Sequence, residues 1–306
     1  MPFVEDLSLA RDGKFLVVSD GSAVAPLAVI NVATRAVVGT LPATTDNNSV
    51  DVCDDGSVLV TSAMSSVVKR LKISETGTLT DTGQVLTLPP GVNNAVCAPG
   101  SKAGVAVLFT SGQLISFLVE SMTAVSTQGL PGGPALTAAF NSNGTSVFVR
   151  GPSTMTAYAF DPATGVIGAS AWSRSLTMGN GFFGVDQVAL DPAGRRVYAT
   201  TPGLIVSLDA ASGAFNGSVS ASSPSGIALR RGGAAAARAD FDGDSKTDIA
   251  VYRPSTGTCR ERRSYPGACI RTRCANHCLR SRGRRAVTFH RLLHRNDGAN
   301  SRLGSR

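Results

Sequence analysis

The chain has 306 residues, of which 42% are hydrophobic and 16% are charged, and its formal net charge is +8 at pH 7. This apolar content is sufficient for a buried core. No run approaches the roughly 18 uninterrupted apolar residues of a membrane-spanning helix, and residues 1–6 lack the basic and apolar segments of a secretory signal.

The net positive charge of the chain comes from the end of the sequence. Residues 259–306 contain thirteen Arg, no Lys and two acids, a net +11, so residues 1–258 carry −3. All three histidines and four of the six cysteines also lie in residues 259–306. The body and the tail are chemically different, and the total charge does not indicate a nucleic-acid-binding body.

A strand, a polar turn ending in glycine and a second strand recur along the body. The pattern begins at residues 7–18 and returns at 50–60, 95–100, 138–149 and 188–198, with a weaker sixth copy at 226–232. Glycine accepts a positive φ without steric cost, so each copy predicts a β-hairpin. The turn glycines are Gly13, Gly56, Gly100, Gly144, Gly194 and Gly232, at steps of 43, 44, 44, 50 and 38 residues.

Two further strands follow in most copies, for example at residues 27–32 and 36–41. Four strands per step without an amphipathic helix predict an all-β fold, a β-propeller of four-stranded blades with five complete blades and a partial sixth. A β-sandwich is the alternative, but it does not require this recurrence. Closed propellers have four to eight blades. The chain either closes as an unusually small ring or is a piece of a larger one, and we favour the second because residue 1 opens almost directly on a blade strand and no signal precedes it.

These copies resemble the YVTN-type β-propeller repeat, with its Ser-Pro-Asp-Gly-like turn and Val-Tyr-Val-like strand, over roughly residues 7–230. The resemblance implies the propeller fold and says little about function. It extends loosely to lactonase-like propellers, which makes a sugar-lactone hydrolase the enzyme alternative. Such a site is expected to bring several acids and an Arg to one mouth of the central channel.

An acidic loop is the most specific motif of the chain. It places carboxylates at loop positions 1, 3, 5 and 9 and a backbone carbonyl at position 7, which is a typical oxygen shell for calcium. Val251 at position 12 argues against an EF-hand. The alternative is an acidic surface turn that binds no metal. The predicted ligands are Asp240, Asp242, Asp244, Lys246 through its carbonyl, and Asp248.

The run from Asp240 to Thr258 closely resembles the FG-GAP/VCBS repeat, the calcium-loop blade of integrin-type propellers and bacterial surface proteins. The resemblance implies one calcium ion that braces the loop and has no part in catalysis. Family members usually carry Gly at position 6, where this chain has Ser245, so we expect weaker binding.

The segment after Thr258 has no strand or helix period and predicts a disordered tail, or translation of a shifted reading frame. The spacing Cys274-x3-Cys278 and His290-x3-His294 nearly matches a zinc finger, but the gap between the pairs is one residue short. The cysteines are alternatively disulfide partners. An arginine-rich tail also permits non-specific contact with nucleic acid.

Residues 1–258 contain no histidine, which excludes Ser-His-Asp and Cys-His catalysis there. Carboxylates remain, although most lie in turns where Asp serves the backbone. Cys53 and Cys97 occupy the same place in adjacent copies and are interpreted as small core residues, and Trp172 either lines a ligand surface or packs between blades. The candidate acids are Asp20, Asp46, Asp51, Asp54, Asp55, Glu75, Glu120 and Asp186.

The sequence therefore predicts three segments: a propeller in residues 1–232, a linker and calcium-loop repeat in 233–258, and an Arg/Cys-rich tail in 259–306. We expect a non-enzymatic extracellular or surface protein with a protein or glycan ligand, no specific nucleic-acid partner and no transmembrane segment. Lactone hydrolysis and nucleic-acid contact through the tail are the alternatives.

Overall fold

The regular structure of this chain is entirely β in the residues that can be placed. These residues separate into two compact units, 1–226 and 227–306. In the part of the chain described, no helix could cross a membrane. The computed structural model describes residues 4–10, 12–20, 26–42, 49–62, 65–131, 133–176, 188–191, 193–221, 226–228, 249–253 and 258–262.

The first unit contains four antiparallel sheets in which strands follow one another in chain order. The first sheet contains β1 (Val4–Leu9), β2 (Phe15–Asp20), β3 (Leu27–Asn31) and β4 (Ala36–Leu41). The second contains β5 (Ser49–Val52), β6 (Ser57–Thr61), β7 (Ser65–Ile73), β8 (Leu79–Cys97), β9 (Ala103–Leu108), β10 (Gln113–Leu118) and β11 (Thr123–Gly129). The third contains β12 (Thr137–Phe140), β13 (Ser146–Arg150), β14 (Thr154–Phe160) and β15 (Ile167–Ser175). The fourth contains β16 (Val188–Leu190), β17 (Arg196–Thr201), β18 (Leu204–Asp209) and β19 (Phe215–Ser220).

The second sheet has seven strands because β8 serves two four-stranded groups. Its first part, residues 79–87, pairs with β7, and its last part, residues 92–97, pairs with β9. We therefore number the groups as repeats: repeat 1 is β1–β4, repeat 2 is β5–β7 with the first part of β8, and repeat 3 is the last part of β8 with β9–β11. Repeat 4 is β12–β15 and repeat 5 is β16–β19. The architecture is the predicted all-β, β-propeller-like arrangement of antiparallel four-stranded groups.

The predicted turn glycines adopt the conformation that their sequence positions demand. Each connects the first two strands of its repeat with a positive φ, which side chains with a Cβ rarely adopt. The φ values are +72° at Gly13, +78° at Gly56, +70° at Gly100, +72° at Gly144 and +67° at Gly194. The predicted hairpins of these five copies are thereby confirmed, and Gly232 lies outside the described residues.

The hydrophobic core lies between neighbouring repeats. Val17 and Val29 of repeat 1 pack in one cluster with Val58 and Val60 of repeat 2, and three further clusters join repeats 2 and 3, 3 and 4, and 4 and 5 in the same way. The middle strand β9 is buried at every residue, whereas the outer strands β4, β11 and β19 are largely exposed. Each four-stranded group therefore buries its faces against the groups before and after it.

The sequence left two roles open for Trp172, which were to line a ligand surface or to pack between blades. It lies in the cluster between repeats 4 and 5 with 9% of its surface exposed. Its indole Nε1 donates to the carbonyl of Ala210 at 3.0 Å, and its ring centroid is 5.9 Å from that of Phe148. Trp172 thus packs between repeats.

A three-stranded sheet contains β20 (Gly226–Ala228), β21 (Ile249–Arg253) and β22 (Thr258–Arg262), in that order, and all of its residues except Gly226 belong to the second unit. Strands from both sides of the predicted boundary at residue 232 thus share a sheet. Residues 259–262, expected to lack strand structure, pair with β21 from Ile249↔Arg262 to Arg253↔Thr258. Strand pairing uses backbone groups, so an Arg-rich composition does not exclude it.

The close approach of neighbouring turns gives a stability prediction with a matched control. A Cβ at Gly144 would lie 2.5 Å from the carbonyl oxygen of Pro99 in the preceding repeat, whereas one at Gly13 would meet nothing within 4 Å. Both glycines have φ +72°. We expect Gly13→Ala to lose about 1–2 kcal/mol for the backbone conformation alone, and Gly144→Ala to lose about 1–3 kcal/mol more for the overlap. Equal losses in urea unfolding would contradict this contact between repeats.

Candidate functional site

A cavity of about 260 Å³ lies where the innermost strands of the five repeats meet. These strands are β1, β5, the last part of β8, β12 and β16. Every one of them contributes the residue six places before its turn glycine. The cavity is therefore the shared centre of the repeats, at the position of a propeller channel. The five equivalent lining residues are Leu7, Val50, Asn94, Ala138 and Val188.

Two carboxylates line this cavity, and both are held by the backbone. Asp6 accepts the N–H of Val50 in the next repeat at 2.8 Å and that of Leu7 at 2.8 Å. Asp51 accepts the N–H of Cys97 in the next repeat at 2.7 Å. Each carboxylate thus fastens the inner strand of one repeat to the inner strand of the repeat that follows.

The pattern continues into repeat 4 with an amide in place of the carboxylate. Asn94 accepts the N–H of Ala138 at 3.3 Å through Oδ1, and its Nδ2 donates to the hydroxyl of Ser49 at 2.9 Å. Innermost strands have one unpaired edge, and side chains from the preceding repeat satisfy its N–H groups. Repeats 1 to 4 are linked in this manner.

Hydroxyl groups complete the polar lining of the cavity. Ser8 accepts the N–H of Val52 at 3.0 Å and donates to Asp51 at 3.0 Å. Thr137 donates to Oδ1 of Asn94 at 3.4 Å. Each of these hydroxyl protons is therefore already directed at a protein acceptor.

Sequence reasoning missed Asp6, although a signal was present. In four successive copies the residue seven places before the turn glycine is polar, and its side chain is buried. A polar residue at a fixed place in a buried strand indicates a shared partner. These residues are Asp6, Ser49, Asn93 and Thr137.

Cys53 and Cys97 pack in or against the core as predicted, and they also form a disulfide, which the sequence did not predict. They lie three places before the turn glycines of repeats 2 and 3, and their Cα atoms are 5.4 Å apart. Cys53 is buried in the cluster between these repeats, and Cys97 also lines the cavity. The bond therefore links two inner strands beside the candidate site.

The other candidate acids do not gather at the cavity. Asp54 accepts the N–H of Gly100 at 2.6 Å. Burial alone would raise the pKa of Asp55, but hydrogen bonds from Ser57 and Lys72 outweigh it and lower that pKa. Glu120 is exposed and lies 4.0 Å from Lys102. The remaining candidates are Asp20, which ends β2, Glu75, which does not line the cavity, and Asp46 and Asp186, which lie outside the described residues.

Arginine does not join the two cavity carboxylates among the described lining residues. Arg150 is fully buried instead, where it donates to the carbonyls of Thr154 at 3.0 Å and of Thr200 in repeat 5 at 3.5 Å. Burial lowers its pKa to about 10, so it remains cationic at neutral pH. Its contacts place it between repeats 4 and 5.

The predicted calcium ligands Asp240, Asp242, Asp244, Lys246 and Asp248 lie outside the described residues, as do the cysteines and histidines of the near-finger pattern. Within the part of the chain that the structure describes, no group of three or more His, Cys, Asp or Glu is placed to hold a metal. The strands that flank the acidic segment, β20 and β21, share one sheet.

No family model matches the chain, and no curated protein is significantly similar to it. Solved structures with the same architecture do exist. A functionally unknown protein from Desulfotomaculum acetoxidans is 20% identical with a TM-score of 0.65, over 74% of each chain. Hydrazine synthase from Kuenenia stuttgartiensis is 12% identical with a TM-score of 0.64, over 85% of this chain and 76% of that chain. At these identities the likeness shows the fold alone.

The disulfide predicts a large difference in stability between oxidised and reduced protein. A bond between residues 44 apart in sequence restricts the unfolded chain, so the Cys53→Ala/Cys97→Ala variant should be less stable by about 2–4 kcal/mol. Urea unfolding with and without reductant measures this, and the double variant should not respond to reductant. Equal stability of wild type and variant under oxidising conditions would contradict the bond.

Proposed function

We propose that this chain is a non-enzymatic propeller, with five complete blades and a partial sixth, that acts in binding or structural display at the cell surface or outside the cell. The observation that carries the proposal is the use of the cavity polar groups. Asp6, Asp51 and Asn94 each bind a backbone N–H of the next repeat, so they build the wall of the cavity. A cavity with such a wall suits recognition of a ligand.

Several features disfavour the lactonase-like alternative. In such an enzyme we expect several acids and an Arg to lie together at one mouth of the channel. The described lining of the cavity contains two acids and no Arg. Residues 1–258 also contain no histidine to act as a general base near neutral pH. The two carboxylates that are present already accept backbone hydrogen bonds.

The disulfide supports the proposed compartment. Disulfides persist in oxidising surroundings such as the periplasm, the cell surface and the extracellular space, and they are rare in the cytosol. The bond joins equivalent inner-strand positions of adjacent repeats. The bond therefore supports the proposal that the protein works in an oxidising compartment.

An assay with small sugar lactones tests the proposed lack of catalysis. Wild type and Asp51→Asn are compared at equal concentration, in the presence of calcium, with proton release as the readout. We expect no turnover above buffer in either protein, because the cavity acids serve the backbone. Turnover by wild type that falls at least tenfold in Asp51→Asn would sink the non-enzymatic proposal and support the lactonase-like alternative.

Within this proposal the acidic loop binds one calcium ion through Asp240, Asp242, Asp244, the carbonyl of Lys246, and Asp248. The carboxylate spacing supports it, and so does the pairing of the flanking strands β20 and β21 in one sheet. The ion would neutralise clustered carboxylates and hold the connection between these strands. Its role is structural.

Calorimetric titration with calcium tests the loop. Wild type should release or absorb heat with a stoichiometry of one, and Asp242→Ala should lose the signal because it removes a ligand from the middle of the shell. Glu120→Ala, which removes an exposed acid of the first unit, is the control and should bind as wild type does. A silent wild type, or an unchanged Asp242→Ala, would end the calcium proposal.

A further inference from the structure

One face of the sheet of repeat 1 is apolar on all four strands. Directly paired residues of antiparallel strands point to the same side of a sheet, and so do residues two apart in one strand. The register therefore places six apolar side chains of repeat 1 on one side. We call this side the open face, and it consists of Leu7 and Leu9 of β1, Leu16 and Val18 of β2, Ile30 of β3, and Val37 of β4.

The corresponding face of repeat 2 is covered by repeat 1. Five residues at the same register positions pack in the cluster that the two repeats share, and each is at most 7% exposed. These residues are Val50, Val52, Val58, Val60 and Leu71. On the open face of repeat 1, by contrast, Leu7 is 44% exposed, Leu9 52% and Val37 60%. The open face thus has the composition of an interface between repeats and the exposure of a surface.

The face of repeat 5 that points away from repeat 4 is different. Val197 of repeat 5 packs in the cluster with repeat 4, and the directly paired Thr200 and Ile205 lie on the opposite side of the sheet. Thr200 is 2% exposed and Ile205 is 1% exposed. Of these two end faces, the open face is therefore the one that is available to a partner.

A contiguous apolar sheet face indicates an interaction site, whereas single exposed apolar residues are normal on a protein surface. Among the described residues, the other exposed large apolar side chains are spread over repeats 1 to 5. The open face needs an apolar sheet face as its counterpart, as in the interfaces between repeats. A second copy of the chain supplies such a counterpart, which is its own open face.

We infer that two copies of this chain associate through their open faces. Two identical faces form an isologous contact around a two-fold axis, so the assembly closes as a dimer. The face of one four-stranded group is small beside the interfaces of obligate homodimers, which bury about 2,000–5,000 Å². We therefore expect a reversible dimer in the micromolar range. This inference goes beyond the proposed function and does not depend on the calcium loop.

Sedimentation equilibrium over a concentration series tests the inference. The four cysteines of residues 259–306 are first replaced by serine, so that disulfides between copies cannot form. The mass should rise from 31.4 kDa towards twice that value, and no further, as the concentration increases. A monomer at every concentration, which would leave the open face to some other partner, would overturn the inference. A mass that rises past that of a dimer would also overturn it.

Val37→Lys tests whether the open face is the surface of contact. Because each copy contributes residue 37, the variant would place two ammonium groups in one apolar interface, and the dissociation constant should increase by about tenfold or more. Val85→Lys is the matched control, because it adds the same charge to an exposed valine on the outer strand of repeat 2. It should associate as wild type does. No weakening in Val37→Lys, or equal weakening in both variants, would contradict the assignment of this face.

Photo-cross-linking gives a second measurement that does not depend on a destabilised contact. Irradiation of a chain with p-benzoylphenylalanine in place of Val37 should give covalent dimers, and the same group in place of Val85 should not. Equal cross-linking at both positions, or none at position 37, would overturn the inference. Lactone turnover or a silent calcium titration would instead count against the proposed function and leave the dimer unaffected.

Discussion

The inner edge of each sheet sets the constraint on which this structure depends. An innermost strand has a neighbour on one side only, and its remaining N–H groups need acceptors. Asp6 meets this need for repeat 2, Asp51 for repeat 3 and Asn94 for repeat 4. Fastening the edges brings the faces of neighbouring repeats together, and the apolar core forms between those faces.

The same arrangement determines what the centre of the molecule can do chemically. The side-chain acceptors that bind the backbone of the next repeat are held in place by those hydrogen bonds, so the polar part of the cavity wall is preorganised. The disulfide between Cys53 and Cys97 holds two of the inner strands beside this wall.

The sequence allowed the fold class to be predicted because every copy repeats the same turn, with glycines such as Gly13 and Gly144 in the conformation that only a turn requires. Much of the site could not be predicted. Asp6 looks like a solvated acid until the neighbouring repeat is placed beside it, and the pairing of Cys53 with Cys97 depends on the distance between two repeats. The continuity of β8 through Pro89 and Pro90 likewise depends on how repeats 2 and 3 are joined, which local sequence does not encode.

Amide hydrogen exchange at the inner edge is the most direct measurement of the central claim. The N–H groups of Val50, Cys97 and Ala138 belong to strand edges, where an uncapped amide exchanges rapidly with solvent. If the preceding repeat caps them, they exchange as slowly as the amides of the fully buried strand β9. Rapid exchange at these three residues in an otherwise protected sheet would show that the repeats are not fastened through their inner strands.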